Sequence, residues 1–389
     1  MKNNIKVLHL TTHNEVCGIA EYQEQFIEAM KGNKNVENVI FNFSPNKTKL
    51  MTSTQYDEVL VDFKNNILDA DMLHIQHELS FYQHKELESV INLTHSLNKP
   101  VVVTIHTDPS ILYKKAQFEG YLPKHLVSYR RHLKDQRHFE EVHLNPLKKA
   151  DLILVHNNVT KNNLVKLGFS AQNISIINIP VPELNFKFKS IKLLEKLNIK
   201  DDDILLCTVG FISRTKGIDH AIKALRLLSK NYKLAVIGGV HPNSNDKEFL
   251  DEITDYIVTN GLLDRVYITG YLEDDNELNA MIREADICLY PYDQNYYSYV
   301  SSAALNNSFA NYRPTIAYST PTFQEINTEK EIIRFCKSPN YYELAREIQN
   351  LDTSKYSVLS KEYANKYSYS KEAIKLVDVY KQLLKKIKH

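Results

Sequence analysis

The chain has no tryptophan, only ten glycines and four cysteines in 389 residues, and no excess of either sign of charge. Each shortage closes off a class of answer. With 48 Lys and Arg against 47 Asp and Glu the net charge is +1. A role resting on a basic excess is thereby disfavoured, and no nucleic-acid partner is expected. Cys17, Cys207, Cys288 and Cys336 lie far apart and form no C-x-x-C pair, which fits small buried side chains in a reducing compartment. No run of ~18 apolar residues offers a membrane span. The first residues enter a strand-like segment without an apolar signal region, so a cytoplasmic protein is expected. Glycine falls well under its usual ~7%, so each one is more a backbone requirement than filler.

Against these absences stands a composition of 43% hydrophobic and 24% charged residues, the balance of a soluble globular protein. The length suits two domains rather than one core. Short apolar runs alternate with longer amphipathic stretches. In the first half the strand candidates are Val7–Leu10, Val39–Phe43, Met72–Ile75, Val101–Ile105, Leu152–Val155 and Ile174–Ile177. In the second they are Ile204–Val209, Leu234–Ile237, Val266–Thr269, Ile287–Tyr290, Thr315–Ala317 and Ile332–Phe335. Near-continuous apolar strands separated by helices indicate parallel sheets covered on both faces. The expected fold is α/β: two Rossmann-like, doubly wound domains of six strands each. Pro180 and Pro182 interrupt regular structure and place the divide between domains 1–182 and 183–368. Residues 372–388 read as an amphipathic helix with Ile374, Val377, Leu384 and Ile387 on one side. It either packs on the second domain or offers a Lys-rich face to anionic lipid, a weak peripheral membrane contact.

In open α/β sheets ligands bind at the carboxyl ends of the strands, and polar residues collect there. The loop after the first strand lacks the G-x-G-x-x-G of a dinucleotide site. Its Gly18 opens a helix with Ile19, Tyr22, Phe26 and Met30 on its buried side, where it is either a turn residue or a point of anion approach. The next two strands end in His77-Glu78 and His106-Thr107. Their spacing matches no metal template, and no metal is expected. In the second half Gly210 and Gly217 bracket Arg214 and Lys216 at a helix mouth, offering two cations and free N–H groups to a diphosphate. Ser301 and Ser302 precede a small, apolar run beginning at Ala303, so a helix N-terminus there is also open to phosphate oxygens. Tyr290, Tyr292, Tyr296, Tyr297 and Tyr299 crowd the loop before it. Residues 110–149 form a long connection rich in His and Arg, including Arg130, Arg131, Arg137, His125, His132, His138 and His143. They read either as a solvated insertion or as an acceptor-side surface.

The succession C-G-I-A-E-Y, I-Q-H-E, T-I-H-T, G-x-x-x-x-x-K-G, Y-P-Y, S-S-A-A-L, R-P-T-I-A and T-P-T-F-Q-E-I resembles the retaining family-4 glycosyltransferases, and the likeness spans essentially the whole chain. It implies the GT-B fold, two Rossmann-like domains with a cleft between them, and a helix at 369–389 crossing back to the first domain. It also implies metal-independent transfer of a sugar, with retention, from a nucleotide-sugar donor to a saccharide, lipid-linked or protein-linked acceptor in glycan biosynthesis, without a cofactor. By the resemblance Arg214 and Lys216 bind the donor diphosphate, and the amides around Ser301, Ser302 and Ala303 hold the distal phosphate and sugar. Gly18 and Gly210 approach the donor, His106 lies near the anomeric carbon, and His77 and Glu78 face the acceptor.

Four positions depart from the family pattern. Tyr299 and Asn307 stand where a Glu-x7-Glu pair is usual, and Asn307 replaces only part of a carboxylate's acceptance from ribose hydroxyls. Phe211 stands where an arginine is usual, and Tyr312 where relatives keep a glycine. Two rival readings follow: a sugar-nucleotide epimerase of the same fold, which would consume donor without acceptor, and a non-catalytic partner subunit.

Overall fold

The computed structural model describes residues 4–15, 17–45, 51–82, 86–112, 134–185, 195–241 and 246–387. The chain divides into two units, Met1–Asn178 with Tyr369–His389, and Ile179–Ser368. Described strands in the first are β1 (Ile5–Thr11), β2 (Val36–Asn42), β3 (Met72–His77), β4 (Val101–Ile105), β5 (Leu152–Val155) and β6 (Ile174–Ile176). Those in the second are β7 (Ile204–Val209), β8 (Tyr232–Ile237), β9 (Val266–Ile268), β10 (Ile287–Tyr290), β11 (Thr315–Ala317) and β12 (Arg334–Phe335). Every strand candidate of the sequence is found, with ends shifted by a few residues at most.

Both sheets are parallel, in the orders β2-β1-β3-β4-β5-β6 and β12-β11-β10-β7-β8-β9. These are the two doubly wound orders. Each has one point where the succession of strands reverses, between β1 and β3 and between β7 and β10, and loops leaving there diverge to open a crevice. In the first unit that edge carries the loop to Gly18. In the second it carries Gly210 and the Tyr-rich loop after β10.

Alternation along the strands sorts side chains to opposite faces. Leu8, Leu10, Leu73 and Ile75 pack into one core of the first unit, while Val7, Met72, Val102 and Leu154 belong to the other. The second core is covered by the helices Gly18–Met30 and Tyr369–Ile387, through Tyr22, Phe26, Met30, Tyr369, Leu376, Val377 and Tyr380. The last helix therefore packs on the first unit, not the second as the residue pattern allowed. Val377 is buried as expected, but Ile374 and Ile387 are exposed. The buried stripe runs one step aside, through Ala373, Leu376, Tyr380 and Leu383. Among the described residues no helix is long and apolar enough to cross a membrane.

The break between units falls after Asn178. The buried Asn306 amide donates to the carbonyls of Ile179 (2.7 Å) and Pro180 (3.1 Å), and Val181 N donates to Tyr367 O at 2.8 Å. These bonds satisfy backbone that the prolines withhold from a strand. Cys207 and Cys288, far apart in sequence, face each other across β7 and β10 with sulfurs 3.3 Å apart.

Candidate functional site

In the second unit the turn after β7 brings Arg214 and Lys216 onto a short 3-10 segment, and the two cations part company. Arg214 is exposed, ion-paired with Glu252 and laid over the Phe249 ring at 4.9 Å. Lys216 is half-buried, and no hydrogen bond or ion pair reaches its ammonium from the described residues. The Tyr292 ring lies close by, 5.7 Å from Nζ to ring centroid. Burial lowers its pKa to about 8, the signature of a cation stripped of water without a carboxylate in return.

Gly210, at φ +103°, lies directly beneath this ammonium. A Cβ there would come 2.3 Å from Lys216 Nζ and 3.5 Å from Ala304 Cβ. Ala304 belongs to the helix Ala303–Ala310, capped by Ser302, whose Oγ accepts from Leu305 N at 3.3 Å and lies 3.3 Å from Tyr292 Oη. Gly210, Lys216, Tyr292, Ser302 and the mouth of that helix thus meet at the β7/β10 reversal. An unpaired ammonium beside free helix amides makes a receptor for an anion. Ser301 and Asn307 are half-buried on the same segment, and Ala303 is exposed. Gly217, by contrast, serves the fold: φ is +62°, and a Cβ would lie 2.0 Å from Pro291 O.

Most of the tyrosines that crowd this loop turn inward. Tyr290, Tyr292 and Tyr297 are buried in the core of the unit, and Tyr296 is exposed. The Tyr290 hydroxyl donates to Ala304 O at 2.7 Å, holding the anion-facing helix from behind. Tyr312 takes the left-handed backbone that favours glycine, φ 57°. Its ring lies under Lys361 and against the core, not beside Lys216.

In the first unit Gly18 is exposed, and a Cβ on it would meet nothing within 4 Å. The fold itself therefore does not demand glycine there. Glu78 is half-buried, its carboxylate accepting from Thr107 Oγ1 (2.8 Å) and Leu79 N (2.9 Å), and burial raises its pKa. His77 is completely buried and stacked on Tyr82, and among the described residues neither ring nitrogen has a partner; burial drives its pKa to about 3. In this structure it presents no surface. His143, from the long connection, is buried against His77 on a π-helical turn, Glu140–Leu144. That histidine belongs to the interior rather than to an acceptor-side surface. Arg130, Arg131, His125 and His132 lie outside the described residues.

His106 is half-buried and neutral, its pKa held well below the usual value by burial and then by His156, His77 and His74. Both its nitrogens are taken: Nε2 lies 2.8 Å from Gln76 Oε1 and Nδ1 3.2 Å from His156 Nε2. Tyr22 packs edge-on against it at 4.9 Å. Sequence reasoning overlooked these partners, yet a signal existed. The positions sharing one face read Val7-His9-Thr11, Met72-His74-Gln76 and Val102-Thr104-His106, apolar at the start of each strand and polar toward its end.

Among the described residues no group of three or more His, Cys, Asp or Glu side chains is placed to hold a metal ion. Residues 190–373 match the family model described as glycosyl transferases group 1. An uncharacterized glycosyltransferase of Methanocaldococcus jannaschii is 27% identical over 145 residues, 37% of this chain and 35% of that protein. The match thus spans about a third of that relative's length. Sucrose-phosphate synthase of Thermosynechococcus elongatus superposes with a TM-score of 0.71 at 18% identity, covering 98% of this chain and 99% of that one. HepE of Anabaena, solved in complex with UDP, gives 0.69 at 14% identity, covering 97% and 100%. The fold shared with these structures is GT-B.

Proposed function

We propose, from the premise that residues 190–373 are a glycosyl transferases group 1 domain, that this protein transfers a sugar from a nucleoside diphosphate sugar to a saccharide or glycoconjugate acceptor, with retention. The observation that carries the reading is Lys216: a desolvated, unpaired ammonium held over Gly210 at the mouth of the Ala303–Ala310 helix. When the bond between the anomeric carbon and the phosphate oxygen breaks, negative charge accumulates on the departing diphosphate. Fixed donors already aimed at that charge lower the barrier, since they need no reorganisation. Lys216 supplies the cation, the helix N-terminus supplies amides, and the reading requires no metal. Arg214, tied to Glu252, is left a secondary part.

The acceptor hydroxyl attacks the face the phosphate leaves, and its proton passes to a phosphate oxygen of the leaving group. His106 is not asked to take that proton, because both its nitrogens are engaged inside the protein. Gly18, with open space where a side chain would be, leaves the first unit's helix mouth open to a ligand. The solution of HepE with UDP makes a uridine donor the first to try. Thermal-shift measurements with UDP, GDP, ADP and their sugars test the reading, since a bound ligand raises the melting temperature by mass action. One nucleotide series should stabilise the wild type and fail to stabilise Lys216→Ala. Full transfer activity in Lys216→Ala would overturn the assignment.

A further inference from the structure

The two sulfurs that meet across β7 and β10 are placed for more than packing. Cys207 and Cys288 are register partners on neighbouring parallel strands, so their Cα atoms lie about 4.8 Å apart. That falls inside the span of about 4.4–6.8 Å that a disulfide bridges without moving the backbone. Both side chains belong to the same core of the second unit, are fully buried, and hold their sulfurs 3.3 Å apart. A bond of about 2.05 Å therefore needs only small turns of the two side chains. Cys17 packs in the first unit and Cys336 in the other core of the second, so no other two of the four cysteines share a core.

The two thiols are not equivalent. Cys207 donates its S–H to Cys288, and that bond, together with burial, holds Cys207 well above the usual thiol range. Burial pushes Cys288 up as well, but the Cys207 S–H, the Ser308 hydroxyl and the Arg313 charge bring it below its ordinary value. Cys288 is thus the sulfur that gives up its proton first, and the thiolate is the nucleophile. Reaching it takes a small reagent. The seam here is short: β10 pairs with β7 at two positions, where β7 pairs with β8 at six. Local opening of so short a seam costs less than unfolding the unit, and it admits a molecule close to water in size.

We propose that Cys207 and Cys288 are an oxidative modification site, which hydrogen peroxide converts to a disulfide that latches β7 to β10 in the folded protein. The Cys288 thiolate attacks one peroxide oxygen and the O–O bond breaks. Hydroxide departs and takes up the proton that Cys288 had released, leaving a sulfenic acid and one water. The Cys207 sulfur then attacks the Cys288 sulfur and the S–O bond breaks. The hydroxyl leaves with the Cys207 proton as a second water, so two electrons pass from the sulfur pair to the peroxide. A thiol reductant reverses the bond, which makes it transient in a reducing compartment. The latch ties together the two strands at the β7/β10 reversal, behind the helix Ala303–Ala310. Tyr290, on the same strand as Cys288, holds that helix through Ala304 O (2.7 Å) and Ser308 Oγ (2.5 Å). The site stands whether or not the protein transfers a sugar.

Mass spectrometry on the wild type tests this directly. The reduced, folded protein is treated with hydrogen peroxide, its remaining thiols are blocked with iodoacetamide, and the digest is mapped. The expected result is one link between the peptides that hold Cys207 and Cys288, returned to thiols by dithiothreitol. Cys17 is the least buried of the four cysteines. Oxidation confined to Cys17 would mean that exposure rather than geometry governs, and would overturn the proposal. Sulfinic acid at Cys288 without a link would do the same. In urea the same treatment should scatter oxidation over all four cysteines; a folded map identical to the urea map would show that the fold does not select the pair. The link joins residues 81 apart in sequence and should raise the melting temperature by roughly 5–15 °C, a rise absent from Cys288→Ala treated alike. A link that forms without any rise would overturn the latch.

Discussion

The Lys216 ammonium fills the space that Gly210 leaves open: a Cβ on the glycine would lie 2.3 Å from Nζ. Gly210→Ala should push the lysine off its station, and at φ +103° it also strains the backbone by about 1–3 kcal/mol. A lost charge-assisted bond of about 1.5–3 kcal/mol weakens nucleoside diphosphate binding roughly ten- to hundredfold. Calorimetric titration with the diphosphate measures it. Wild-type affinity in a folded Gly210→Ala protein would separate this glycine from the ligand.

The pH dependence of Lys216 has a definite sign. Burial lowers its pKa to about 8, against about 10.4 for an unfolded lysine. The cost of keeping it charged is fully present below pH 8. Between about 8 and 10.4 the unfolded chain holds more protons, so stability rises with pH. Relative to Lys216→Met, the wild type should gain stability across that span and lose affinity for diphosphate across the same span. Parallel denaturation curves at pH 7.5 and 9.5 provide the check; identical pH dependence of the two proteins would remove the unpaired ammonium from the account.

Two glycines should answer alanine in opposite ways. Gly18→Ala meets nothing, so stability should stay within about 0.5 kcal/mol while substrate affinity falls. Gly217→Ala would collide with Pro291 O and sits at φ +62°, costing on the order of 1–3 kcal/mol or more. Urea denaturation and ligand titration on the pair distinguish a glycine kept for a ligand from one kept for a turn. Equal stability losses in both would defeat the distinction.

Acid should undo the first unit before the second. Burial brings His9, His143 and His156 down to about 4 and His77 to about 3, against about 6.5 unfolded. The stability tied to their neutral forms is present above pH 6.5 and drains as pH falls toward 4, at about 1.4 kcal/mol per unit for each ring. Hydrogen exchange at pH 5 should show β1 and β3 losing protection ahead of β7 and β10. His77→Phe removes two nitrogens that lack a partner among the described residues and should flatten the acid limb by one proton's slope. An unchanged slope would mean that His77 finds a partner in solution.

The strands were legible because burial on both faces of a parallel sheet writes itself as unbroken apolar runs, and Gly210 and Lys216 because glycines were scarce enough to be conspicuous. What escaped is of another kind. Arg214 and Lys216 look equivalent in one dimension. Only the placement of Glu252, on another helix, decides that one is paired and the other bare. That Tyr292 and Tyr297 turn into the core was not legible, because sequence shows abundance but not direction. The contacts of His106 with Gln76 and His156 join β3 to the loops that follow β4 and β5, and only the register of the strands lines them up.

The helix Tyr369–Ile387 completes the core of a unit whose other residues end at Asn178. On a ribosome adding about 5–20 residues per second, the whole of residues 179–368 must be made before Tyr380 can reach His74. The first unit therefore waits on the order of 10 to 40 s with Val7, Phe26 and Met72 uncovered by their final neighbour. The second unit, contiguous in the chain, needs no such delay. Order of synthesis and order of completion are thus reversed, and the interval is when this protein is most in need of a chaperone.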